Sequence, residues 1–248
     1  MIITDSHSHL SIHAEDGIAF SVCCDENLES IDDHFELKDD IGRSYVFCGI
    51  HPWFIQDSMI LENILSKCQR AIDTGRIDGI GEIGMDSVRR GIATLSRQEL
   101  FFDAFVSLAV RNSLPMSIHC VKTSDRCVAV LKKYSKSLPP TAMHSLCVHF
   151  SEAERFLRLS DNIFIGVGIR SIIQCGTKTK KMLRVVPIDK VLIETDWEEG
   201  ESKHWDMTRA QALARVIEYL SIVYGKPIED IQKITFDNFK RFARSTSK

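Results

Sequence analysis

Near the N-terminus an apolar lead, Ile2-Ile3, runs into Asp5, His7 and His9, each two residues from the next. Side chains two apart in an extended strand point to the same side. The run therefore sets a carboxylate and two imidazoles on one face. Burying adjacent imidazoles is costly unless each finds a partner, and a divalent metal ion is such a partner because imidazole is a good transition-metal ligand. Taken alone, His-x-His fits two loop histidines in ordinary hydrogen bonds equally well, so the rest of the chain must decide. It repeats the theme: His51 in "GIHPW", Glu82 in "GEIGMD", His119 in "SIHC", His144 in "MHSLC" and Asp196 in "IETDW" each sit in or just after an apolar run.

Those runs are short and alternate with longer amphipathic segments. The strand candidates are "MIITDSH", "GIAFSVC", "SYVFCGIH", "IDGIGEIG", "LPMSIHC", "TAMHSLCV", "NIFIGVG" and "DKVLIETD". Between and after them, "LSRQELFFDAFVSLAVRN", "MTRAQALARVIEYLSIVYG" and "IEDIQKITFDNFKRFA" carry apolar residues at helical spacing, the second closing on Gly225 and Pro227. Eight buried strands alternating with helices predict an α/β fold, a single (β/α)8 TIM-type barrel over residues 1–248. The acidic stretch 24–44 carries the weakest helical signal, and a doubly wound open sheet is the alternative. In a barrel, functional residues gather at the C-terminal ends of the strands. Four histidines and two carboxylates meeting on that rim exceed what one tetrahedral zinc needs. They suit a two-metal site with a bridging group.

The bulk numbers agree with a cytoplasmic enzyme. Of 248 residues, 44% are apolar, enough for one large core, and the net charge of −3 excludes a general basic surface for nucleic acid. A polyanionic substrate would need a local positive field, such as bound metal. No N-terminal signal pattern and no membrane-length apolar run appears. Eight cysteines form no C-x-x-C pair, and several lie in strand-like runs, so they read as reduced core residues. No membrane association and a monomer are expected.

The motifs "DSHSHL", "GIHPW", "GEIGMD", "RQELFFDAFVSLAVRNSLPMSIHC" and "LIETD", with the tail "ITFDNFKRFA", resemble the TatD family of metal-dependent hydrolases from Thr4 to about Ala243. The resemblance implies a TIM-type barrel, two divalent ions (Zn, Mg or Mn) and hydrolysis of phosphodiesters in DNA. Carried over by position, it implies that His7 and His9 hold one ion with Asp196 beside it, that Glu82 bridges, and that His119 and His144 hold the second. Between His144 and His149, the spacing back from "NIFIGVG" favours His144. The sequence departs from the family pattern at Trp197-Glu198 after the strand-eight aspartate, at Ser87, and in "HSLCVHFS", changes that bear on substrate preference.

The remaining roles follow from chemistry. Many related barrels bridge with a carbamylated lysine, but no lysine occurs between Cys68 and Val121, which leaves Glu82. Asp196 is expected to be both ligand and general base, and with Glu82 makes the catalytic pair. Asp5 is expected to orient a ligand rather than bind an ion. His51 is either a turn residue or a phosphate contact. Among Arg90, Arg97 and Arg170, Arg170 follows strand seven on the active rim and is the preferred phosphate clamp. Trp197 either stacks on a substrate base or packs against the rim. His13, His34 and His204 are expected at the surface. The rival functions are hydrolysis of an amide, ester or aminoacyl linkage on the same cluster, and a non-catalytic barrel.

Overall fold

In the computed structural model, which describes residues 3–9, 18–25, 44–198 and 201–243, all eight apolar runs are strands. They are β1 (Ile3–Ser8), β2 (Ile18–Asp25), β3 (Ser44–Cys48), β4 (Gly79–Asp86), β5 (Met116–Val121), β6 (Thr141–Met143), β7 (Ile163–Gly168) and β8 (Val191–Glu194). Each pairs in parallel with the next, in sequence order. The sheet closes on itself just past β8. There the Asp196 N–H donates to His7 O and the His9 N–H to Trp197 O, both at 2.9 Å. That closure gives the TIM-type barrel and rules out the open doubly wound sheet. His13, His34 and most of the acidic stretch 24–44 lie outside the described residues.

The helices are α1 (Leu61–Asp73), α2 (Leu95–Asn112), α3 (Ser124–Lys133), α4 (Phe150–Leu157), α5 (Ile169–Leu183), α6 (Glu201–Trp205), α7 (Arg209–Tyr224) and α8 (Ile228–Ala243). Local chemistry sets their ends. Thr94 caps α2 by accepting from the Arg97 N–H at 3.3 Å. Thr208 and Gln211 form a reciprocal capping box at α7, and Gly225 ends that helix in the left-handed conformation at φ 62°. The buried face of α2, Phe101, Phe102 and Phe105, packs in one core with Ile80, Ile83 and Met85 of β4 and Ile118 of β5. Truncating one of these phenylalanines to alanine costs about 3–5 kcal/mol.

A second apolar cluster joins Phe47, Ala142, Phe164 and Leu192 to Phe239 and Phe242 of α8. Ala142, Phe164 and Leu192 are the second residues of β6, β7 and β8, so this plug lies toward the N-terminal ends of the strands. The opposite ends hold the buried polar residues His7, His51, Glu82, Asp86, His119, His144 and Glu194. Stability and chemistry thus occupy opposite mouths of one barrel.

Two sequence expectations change here. Asp5 does not share a face with His7. The register of β1 against β2 shifts between Asp5 and Ser8, and the Asp5 carboxylate accepts from the Thr195 N–H (2.9 Å), the Thr195 hydroxyl (2.6 Å) and Arg209 Nε of α7 (2.8 Å). It still lies behind the cluster, accepting from the His7 N–H at 3.3 Å. Trp197 is fully buried in the main core, so the substrate-stacking role is excluded and the packing role stands. Its backbone carbonyl serves barrel closure.

Candidate metal centre

The centre is built around Glu82, the fourth residue of β4. Its Oε2 lies 3.3 Å from His7 Nε2 and 3.2 Å from His9 Nε2. Its Oε1 lies 2.7 Å from His119 Nδ1, 2.6 Å from His144 Nε2 and 3.3 Å from His51 Nε2. The two carboxylate oxygens therefore face two separate groups of imidazoles. Asp196 completes the first side, its Oδ1 3.6 Å from both His7 Nε2 and His9 Nε2 and 4.0 Å from His144 Nδ1. Asp196 adopts a left-handed backbone, φ 56°, which aspartate tolerates better than most residues.

The structure brings together all six residues expected as metal ligands: His7, His9, Glu82, His119, His144 and Asp196. His144 lies immediately beyond β6 rather than inside it, and its ring stacks on His7 at 4.0 Å between centroids. His149 is elsewhere: it is exposed and caps α4, accepting from the Ser151 N–H. His204 is exposed. Arg97 is spent on the loop before α1, donating to Gln56 O (2.9 Å) and Met59 O (2.7 Å), and Arg90 is exposed. Arg170 opens α5 directly after β7, with Nη2 on Glu201 Oε1 at 3.2 Å.

Three residues matter more than their sequence context indicated. His51 is buried, with Nε2 3.3 Å from both Glu82 Oε1 and His119 Nδ1, so it stands among the donors rather than on the open rim. Its place at the end of β3 was the available signal. Asp86 closes β4, with Oδ2 3.5 Å from His119 Nε2 and accepting from Trp53 Nε1 at 2.8 Å. Glu194 is wholly buried at the end of β8 and accepts from the Ser145 N–H. Gly166 leaves the space its carboxylate fills, since a Cβ there would collide with it. No sequence pattern marked Glu194.

The groups of the cluster perturb one another strongly. Burial would raise Glu82, yet His144, His51 and His119 hold it well below the usual carboxylate range. Burial opposes ionisation of Asp196 too, but the hydrogen bond from His9 and the charges of His144 and His7 bring it to about 2. Desolvation and the neighbouring His144 lower His7 to about 4. His119 goes the other way, to about 10, because hydrogen bonds to Asp86 and Glu82 outweigh its burial. Glu194 is pushed well above the usual carboxylate range by burial and by the neighbouring Asp196.

Ring nitrogens here approach one another at 3.1 Å (His7 and His9), 3.3 Å (His51 and His119) and 3.4 Å (His119 and His144). Only one nitrogen of such a pair can carry a proton toward the other, so each pair turns at least one ring lone pair inward. His144 Nδ1 is buried without a hydrogen-bond partner among the described residues. His7 has its outer nitrogen on Ser117 Oγ at 2.7 Å and His119 has its own toward Asp86, the arrangement that orients a ligating imidazole. The donor set fits divalent ions.

The family model for TatD related DNase matches residues 2–244. The chain belongs to the TatD-related DNase family. Within the TatD relatives, a Schizosaccharomyces pombe protein named deoxyribonuclease Tat-D is 27% identical over 202 residues, covering 76% of this chain and 62% of that protein. The Escherichia coli protein YjjV, named as an uncharacterized metal-dependent hydrolase, is 25% identical over 239 residues, covering 94% of this chain and 90% of YjjV. The crystal structure of YjjV superposes with a TM-score of 0.81 over 97% of both chains, at 23% identity, and supports the barrel fold. A Pantoea vagans TatD named as a 3'-5' ssDNA/RNA exonuclease is 28% identical over 158 residues, 62% of this chain and 58% of its own. The match thus spans less than two thirds of the Schizosaccharomyces and Pantoea proteins. No described helix is long and apolar enough to cross a membrane.

Proposed function

We propose that this TatD-family barrel is a metal-dependent phosphodiesterase acting on DNA, with two divalent ions (Zn, Mg or Mn) per chain. The observation that carries it is the division of the Glu82 carboxylate, one oxygen toward His7 and His9 and the other toward His51, His119 and His144. A relative named as a deoxyribonuclease and another named as an ssDNA/RNA exonuclease support the substrate class. The proposal extends to one barrel domain over residues 1–248, a monomer in the cytoplasm.

Bound divalent ions would supply Lewis-acid activation of water and charge neutralisation at the phosphoryl oxygens. His7, His9 and Asp196 would hold the first ion, His119 and His144 the second, with Glu82 between them and His51 beside the second. Asp196 is ionised at neutral pH, and its side chain is 20% exposed against 2% for Glu82. Asp196 is the more accessible of the two carboxylates and would take the proton from the attacking water. Asp5 holds Thr195, and through it the turn that presents Asp196. Arg170, on the rim after β7, can meet a phosphate by releasing Glu201.

The test strips the protein with EDTA and resupplies Mg, Mn, Co or Zn against end-labelled single-stranded DNA, duplex DNA and RNA. Metal-restored cleavage of DNA is expected. Hydrolysis of an aminoacyl-tRNA or a cyclic amide, with no nucleic acid cut in any of the four metals, would overturn the phosphodiester assignment.

A further inference from the structure

Trp53 stands apart from the other tryptophans. Trp197 is in the core, and Trp205 is half-buried with its Nε1 on Glu201 Oε2. Trp53 is 36% exposed, in the 3-10 turn Pro52–Phe54 that follows directly on His51. Its ring lies 4.8 Å from the His51 ring and 6.1 Å from the His119 ring, both edge-on, so it borders the metal centre. It does not drift there: Asp86 Oδ2 accepts from its Nε1 at 2.8 Å. The same carboxylate takes the Val88 and Arg89 N–H groups at 2.6 and 3.1 Å, tying the loop after β4 to the indole.

Phe54 (44% exposed), next to it in the chain, and Val88 (60% exposed), whose N–H is held by the same Asp86 carboxylate, are also exposed apolar residues of this region. Part-exposed indole and phenyl surface grouped beside a polar site fits a contact surface. Arg89, itself exposed, lays its guanidinium over the Trp53 ring at 4.2 Å from the centroid. A flat, delocalised group thus already lies on one face of the indole. Arginine and tryptophan together are what a single strand needs: an aromatic plane for a base and a cation for the phosphate beside it.

We propose that Trp53 is a stacking platform for one nucleobase of a single-stranded nucleic acid next to the scissile phosphate, with Arg89 swinging from the ring to the adjoining phosphate. This rests on the nucleic-acid reading of the site above. It makes Trp53 and Arg89 specificity residues rather than catalytic ones, and it makes Asp86 the carboxylate that holds both in place. Duplex DNA keeps its bases stacked on one another, so the platform favours single strands and frayed ends.

The test is binding of fluorescein-labelled dT12, and of an abasic oligonucleotide of the same length, followed by anisotropy in calcium. Cleavage of both in manganese is followed separately. Wild-type protein should bind dT12 more tightly than the abasic strand, by about 5- to 150-fold for one base on one ring. Trp53→Ala should erase that difference while leaving abasic binding unchanged. Trp53→Phe should keep most of it, which guards against a misfolded alanine variant. Arg89→Ala should weaken both oligonucleotides alike. Equal binding of the two strands by wild type, or a base preference that survives Trp53→Ala, would overturn the proposal. Base-dependent binding without cleavage would remove the nuclease reading and leave this one standing.

Discussion

Replacing Glu82 by glutamine tests the bridge most directly. Glutamine keeps the shape of the side chain but offers one carbonyl oxygen and one NH₂ group. Glu82 presents Oε2 to His7 and His9 at 3.2–3.3 Å and Oε1 to His51, His119 and His144 at 2.6–3.3 Å. Whichever way the amide turns, one group of imidazoles faces a donor instead of an acceptor. The expected result is asymmetric: one ion position survives and the other fails. Two unit charges about 4 Å apart interact by about 4 kcal/mol at an effective dielectric near 20. Removing one carboxylate charge beside a dication therefore removes about 8 kcal/mol gross. If the amide oxygen, the remaining imidazoles and water recover half, the net loss of about 4 kcal/mol weakens the failed position about 1,000-fold. The assay is a zinc or manganese titration of EDTA-stripped protein in a buffered chelator series. Phosphodiesterase rate and far-UV circular dichroism are read on the same preparation. Both ions bound within tenfold of wild type, with near-normal turnover, would refute the bridging role and make Glu82 structural.

Three other expectations can be checked in the same way. Asp196→Asn should lower turnover about 10²–10⁴-fold while His7, His9 and Glu82 keep most of the first ion; a rate that only follows metal content would make Asp196 a plain ligand. Asp86→Asn removes an acceptor shared by His119 and Trp53, and should weaken the second ion about 10- to 100-fold with the first unchanged, a split that a general loss of stability would not produce. Metal uptake should release protons: His119 rises to about 10 in the metal-free protein because of its hydrogen bonds to Asp86 and Glu82, so it is charged at pH 7.5 and must give up a proton to ligate, and His9 is shifted in the same direction by Asp196 and Glu82. Calorimetry in two buffers of different ionisation enthalpy should show that release, and metal affinity should rise with pH; heats that do not depend on the buffer would refute it. For the metal-free fold the sign is opposite, since the stabilisation from charged His119 is complete below about pH 6.5 and fades as pH rises through about 10.

Much of this protein is local in origin and therefore legible in its sequence. Strand and helix alternation follows from short β-rich apolar runs and 3.6-residue periodicity, and the limits of α2 and α8 coincide with the amphipathic runs read from the chain. The positions of His7, His9, Glu82, His119, His144 and Asp196 in or just after apolar strand runs are equally local facts. What only the tertiary structure decided depends on closure and register. The hydrogen bonds that set Asp196 and Trp197 against His7 and His9 join opposite ends of the chain, and no nearby pattern encodes them. The register shift in β1 turned Asp5 to Thr195 and Arg209. Which tryptophan is buried was likewise a tertiary matter: Trp197 falls under the helices past β8, and Trp53, in a turn after β3, is left in water. His51 joined the donors, and Glu194 was buried near them, because barrel closure brings the turn after β3 and the end of β8 to one narrow mouth. Its volume, shared among residues far apart in sequence, is a property of the closed fold.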